Sequence, residues 1–406
     1  METERPRVYG YRWVVLVCFA ILNAVIQIQW VAMAPVTSEA AAYYGVTPIA
    51  IGFLSMIFML VYLAVCIPAS YVIDTYGLRV GVGVGAILVA VCGLLKGVYG
   101  TSYAMVAGAQ VGLAVAQPFI LNACTKVSAK WFPIGERATA TGIAAMAQYA
   151  GIIVAMAATP FLVRAHGMQG MLTIYGVASV AGGVPFLLFC PAEPPTPPSP
   201  VDREEEFHFF AGLKHILGQK QMLLLLLMFF VGLGIFNAIT TWVEQILHPR
   251  GLDSGQAGII GAIMMVGGVF GALIVPPISD KVRRRVPFLA MSMICTIPGL
   301  AGLTFASNFN VLLVSAFVFG FFSMSAGPIG FQYGAEICYP AAESASQGLM
   351  LLVGQISGAV FIFGMDAFRT GEGSMTPFLI LFMVLTAANA SLCLWLRESR
   401  LISQTG

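Results

Sequence analysis

Charge is scarce in this sequence. Only 9% of its 406 residues are Asp, Glu, Lys or Arg, against about 25% in an ordinary soluble domain, so a water-facing surface cannot be assembled and a cytosolic enzyme is excluded. Histidine is scarcer still, since His166, His208, His215 and His248 are the only four and all fall in or beside loops. No Ser-His-Asp arrangement, metal-ligand spacing or Gly-rich phosphate loop is present, so no enzymatic role, cofactor or metal is expected. The eight cysteines include no CxxC pair. Cys18, Cys66, Cys92, Cys124, Cys190, Cys295 and Cys393 stand in apolar runs and Cys338 in a short polar stretch, which excludes a disulfide-stapled secreted module and reads as small buried hydrophobes. Disorder and collagen-like repetition fail as well, because 59% of the residues are hydrophobic and the mean hydropathy is +0.89.

What is present in quantity is long apolar runs. A membrane helix needs about 20 such residues to cross a hydrocarbon layer roughly 30 Å thick. Twelve runs qualify, over 12–36, 49–73, 80–99, 102–124, 138–163, 170–190, 222–247, 255–278, 286–307, 310–334, 347–369 and 375–396. The first is of full length and leads straight into the others, so no cleavable signal peptide is expected. An even number of spans puts both termini on one side. Sixteen of the 20 basic residues fall on that side, and only Lys96, Arg164, Arg250 and Arg369 on the other. Basic loops stay in the cytoplasm during insertion, so an integral membrane protein with both termini cytoplasmic is expected.

The sequence predicts a six-helix bundle over 1–190, a cytoplasmic linker over 191–221 and a second six-helix bundle over 222–406. The linker opens on AEPPTPPSP, passes through Asp202, Glu204, Glu205 and Glu206, and ends in FHFFAGLKHIL. That last piece reads equally as an amphipathic helix on the inner leaflet and as a packed connector.

The halves repeat one another. Asp74-Thr75-Tyr76-Gly77-Leu78-Arg79 follows the second run and Asp280-Lys281-Val282-Arg283-Arg284-Arg285 the eighth, 206 residues on; Glu136, after the fourth, recurs 207 residues on as Glu343. Duplicated six-helix units related by an axis along the membrane normal are a transporter architecture. The first pair resembles the loop motif of the major facilitator superfamily, although the second copy has Arg283 in place of the glycine. The resemblance implies an all-α membrane protein with the major facilitator fold of twelve helices. An aspartate at a helix end can stabilise the positive end of a helix from the other half, and nearby arginines can pair with the glutamates. Asp74, Arg79, Glu136, Asp280, Arg284 and Glu343 are therefore expected to latch the outward-open state, unless they serve only to enforce topology.

The centres of the spans hold almost no ionisable groups; Glu244, Lys96 and Asp366 lie towards outer helix ends. Glu244 is a candidate for attracting cations or carrying a coupling proton. Without a central guanidinium, a site for phosphates or carboxylates is disfavoured, and without a buried relay so is proton coupling. Neutral amides and aromatics remain. Gln148 and Gln355 stand 207 residues apart, and the same offset carries Trp30 onto Asn237. These four form two symmetric pairs on the first and fifth helices of each half, with Gln117 on the fourth helix as a further candidate. A tryptophan face with uncharged amides suits a quaternary ammonium. The competing roles are an interfacial-belt tryptophan for Trp30 and interhelical hydrogen bonding for the glutamines.

Gln29-Trp30, Tyr44-Gly45-Val46, LSMIFMLVY at 54–62, DTYGLR at 74–79, AQPFIL at 116–121, Trp131-Phe132, GAEICYPAAESASQGL at 334–349 and GQISG at 354–358 resemble the feline leukaemia virus subgroup C receptor family. The resemblance runs through both halves. It implies transport of choline and related amines such as ethanolamine; haem export has also been attributed to that family. It further implies that Trp30 cages the ammonium beside Gln148 and Gln355. The family's second cage aromatic, a tyrosine on the seventh helix, is absent here, where Phe236-Asn237 stands.

The expected function is a facilitator moving a small polar solute, a choline-like amine cation, by alternating access and uniport. A lipid bilayer and a small-molecule substrate are the expected partners, with no nucleic acid and a monomer as the working unit. An organic-anion or monocarboxylate carrier, a proton-coupled symporter and a non-transporting membrane receptor or sensor remain as alternatives.

Overall fold

The computed structural model describes residues 8–196, 215–338, 343–371 and 373–398; the side chains at 74, 134, 135, 138 and 343–345 are outside that set. The proline run beyond 196, the acidic stretch and most of FHFFAGLKHIL lie outside the described residues. The chain divides into two compact units, Met1–Glu204 and Glu205–Gly406.

The first unit contains α1 (Arg12–Val31), α2 (Thr37–Tyr44), α3 (Pro48–Tyr76), α4 (Leu78–Val98), α5 (Tyr103–Leu121), α6 (Cys124–Trp131) and α7 (Ile134–Phe189). The second contains α8 (Lys220–Leu247), α9 (Ser254–Val282), α10 (Val286–Phe305), α11 (Phe309–Cys338), α12 (Glu343–Ala367) and α13 (Thr376–Leu392). No strand occurs among the described residues. Backbone polar groups have no water to bond within hydrocarbon, and helices satisfy them internally.

Among the described residues, eleven helical stretches are long and apolar enough to cross a membrane, where twelve spans are expected. The difference is α7, which is 56 residues long and about 84 Å if straight. Its backbone leaves the helical region at Gly167, with φ 71° and ψ 175°, a conformation open to glycine. Contacts with α1 show that the chain reverses there. Before Gly167, Arg12 meets Glu136 and Asn23 donates to the Ala144 carbonyl, so the segments run parallel. Beyond it, Tyr11 donates to the Phe189 carbonyl and Gln29 to that of Tyr175, so they run antiparallel. α7 is therefore two helices, one for each crossing, broken at Gly167.

Large apolar side chains face outward, among them Leu394 at 84% exposure and Leu188 and Phe368 at 69% each. Lipid is as apolar as leucine, so interhelical cohesion comes from close packing and hydrogen bonds instead. A Cβ on Gly320 of α11 would collide with the Met264 carbonyl of α9, and one on Gly151 of α7 with the Ala24 carbonyl of α1. Side-chain bonds add to this. Tyr62 of α3 donates to the Asn122 amide oxygen, and Asn389 of α13 to the Met228 carbonyl of α8.

The loop repeat has a backbone counterpart. Gly77 ends α3 at φ 88°, and Arg283, 206 residues on, ends α9 at φ 57°. The second copy thus keeps a positive φ without its glycine.

Candidate solute-binding site

In the first unit Trp30 stands where α1 breaks. The helix stops at Val31, and a turn and a 3-10 segment containing Pro35 follow. Trp30 is half-buried and held twice by one residue of α3: its indole Nε1 donates to the Ser55 carbonyl at 3.2 Å, and Ser55 Oγ donates to the Trp30 carbonyl at 3.2 Å. Gln148 of α7 is half-buried, accepts from Gln27 Nε2 at 3.5 Å and donates to Cys124 Sγ at 3.8 Å. Gln117 of α5 is buried just before Pro118.

In the second unit Asn237 is buried on α8 and Gln355 half-buried on α12. Gln117, Asn237 and Gln355 make no side-chain hydrogen bond to any described residue. By contrast Gln29, Gln110 and Asn122, equally amide-bearing, are tied to neighbouring helices. The buried Gln27 Oε1 and Asn23 Oδ1 are also without a protein donor.

Trp242 does not offer a replacement cage wall. It is fully buried, with Nε1 donating to the Ile362 carbonyl at 3.0 Å and the Arg369 guanidinium 5.6 Å from its ring. Glu244, expected as an attracting charge near an outer mouth, is buried at 1% exposure and accepts from Gln245 Nε2 at 2.6 Å. Gln245 in turn accepts from Arg369 at 2.8 Å. Glu244 is therefore enclosed in a polar cluster of α8 with Arg369, two residues beyond the end of α12, rather than displayed.

Among the loop charges, Glu136 pairs with Arg12 at 3.0 Å. Asp280 pairs with Arg285, not with Arg284, and Arg285 also grips Glu336 at 3.0 Å. Burial alone pulls the Arg285 pKa down; the bonds to Asp280 and Glu336 more than offset this and raise it, so the guanidinium stays charged. Arg79 and Arg284 are exposed, and the side chains of Asp74 and Glu343 lie outside the described residues. Arg12, Arg285 and Glu336 are not among the candidates from sequence, although Arg285 closes the repeated loop that begins at Asp280 and Glu336 lies inside the GAEICYP stretch that carries the family resemblance.

Residues 9–362 match the Major Facilitator Superfamily. The chain belongs to the Major Facilitator Superfamily. This facilitator is 32% identical to Solute carrier family 49 member A3 of Danio rerio, over 92% of its own length and 81% of that protein's. It is 27% identical to the choline/ethanolamine transporter FLVCR2 of Rattus norvegicus, over 95% and 75% of the two lengths. Among solved structures, a bacterial homologue of the human lysosomal transporter Spinster, inward-facing and unoccupied, aligns with a TM-score of 0.72 at 14% identity, covering 98% of this chain and 97% of that one. A D-xylose-proton symporter aligns at 0.73 and 13% identity, covering 96% and 99%. These likenesses establish the major facilitator fold. The chain is an integral membrane transporter of that superfamily and not an enzyme.

Proposed function

We propose that the protein carries a small amine cation of the choline and ethanolamine class by alternating access, as a uniporter with both termini cytoplasmic. The observation that carries this is the contrast between committed and uncommitted amides: Gln117 in the first unit, and Asn237 and Gln355 in the second, make no side-chain hydrogen bond to any described residue, while within the first unit the Trp30 ring is fixed by Ser55. A quaternary ammonium such as choline has no N–H to donate and is recognised by an aromatic face, whereas the N–H donors of a primary ammonium such as ethanolamine are also accepted by amide oxygens. The similarity to a choline/ethanolamine transporter supports the same class. Asn237, standing where an aromatic would complete a cage, favours amines that also carry a hydrogen-bonding group, as the hydroxyl of choline and ethanolamine does.

Thermal-shift titration of the purified protein tests the substrate class. Choline or ethanolamine raises Tm in a saturable way and lactate does not; stabilisation by lactate alone assigns an organic-anion carrier instead. Counterflow of labelled choline in proteoliposomes separates a carrier from a sensor that binds without moving its ligand.

A further inference from the structure

Lys96 lies in the last turn of α4 and is 1% exposed, yet it pairs with no carboxylate among the described residues. An uncompensated ammonium in a membrane protein interior is costly, so something else must balance it. Its partner is the broken end of α1. Nζ lies 3.4 Å from the Gln29 carbonyl and 3.0 Å from Gln29 Oε1. The last carbonyls of a helix have no intrahelical donor, and their aligned dipoles amount to about half a negative charge. Gln29 is among them, because α1 ends at Val31. Gln110 of α5 donates to the same carbonyl at 3.1 Å, and Ser179 and the Tyr175 carbonyl hold the Gln29 side chain. Lys96 is thus a C-terminal helix cap supplied in trans, inside the membrane. The next peptide is that of Trp30.

We infer that Lys96 is a positioning residue for solute recognition, fixing the Trp30 ring by anchoring the carbonyl immediately before it. This rests on Trp30 being part of the binding site. The charge accompanies the tryptophan: at the offset of 207 that relates Trp30 to Asn237, Lys96 maps to Leu303, so the half without the tryptophan also lacks the lysine.

The test uses full-length protein in which Trp13, Trp131, Trp242 and Trp395 are phenylalanine, leaving Trp30 as the sole indole. Lys96→Met keeps the stem and removes the charge; Gln110→Leu removes the second donor without touching the lysine and serves if Lys96→Met does not fold. In either variant Trp30 emission shifts to the red and acrylamide quenching rises. The choline Kd rises about tenfold for Lys96→Met, the loss of one charge-assisted bond, and less for Gln110→Leu. Unchanged Trp30 emission and quenching in a folded variant overturn the inference, as does a choline Kd that stays put while emission moves. If the parent protein binds no choline, the substrate proposal fails, and the Trp30 emission still decides whether Lys96 positions the ring.

Discussion

Trp30 is tied to α3 through both its backbone carbonyl and its ring by one residue, Ser55. A desolvated cation–π contact contributes about 2 kcal/mol, so Trp30→Ala is expected to raise the choline Kd about 30-fold, measured by equilibrium binding in detergent. The same substitution leaves Tm without ligand within a few degrees, because Trp30 is only half-buried. Of the residue-scale picture, the repeat offset pairs Trp30 with Asn237 and Gln148 with Gln355 in sequence alone. Lys96 was not legible there, because a lysine near the end of a span normally snorkels to water, and only the fold reveals the helix end that binds it instead.

At the scale of elements, the helices were readable because each is a long apolar run, the two crossings of α7 included. The sequence pattern separates 138–163 from 170–190, and the backbone leaves the helical region between them, at Gly167. The end of α9 carries a different lesson. Arg283 occupies a left-handed conformation that costs a side-chain-bearing residue about 1 kcal/mol, and the repeat supplies glycine at the matching position 77. Arg283→Gly is expected to stabilise the protein by up to about 1 kcal/mol, read as a rise in Tm of a few degrees. A fall in Tm would mean that contacts of the Arg283 side chain outweigh the backbone strain.

For the whole molecule, the scarcity of charge has sorted into two kinds of place. Within the first unit Arg12 holds Glu136, and within the second Arg285 joins Asp280 to Glu336. We propose that the repeated loop charges Asp74, Arg79, Glu136, Asp280, Arg284 and Glu343 latch the outward-open state. In that case Asp280→Asn raises labelling of engineered cysteines on the cytoplasmic face and lowers it on the outer face; an unchanged ratio removes the latch.

The most direct measurement is uptake of labelled choline into proteoliposomes under an imposed potassium diffusion potential, without a pH gradient. A uniporter of a monovalent cation responds to about 2.3 kcal/mol per 100 mV. Inside-negative vesicles therefore accumulate choline about 50-fold at 100 mV, and Trp30→Ala slows the approach to that ratio. Uptake that ignores the potential and follows a proton gradient, or that lactate blocks and Trp30→Ala leaves untouched, would contradict the account.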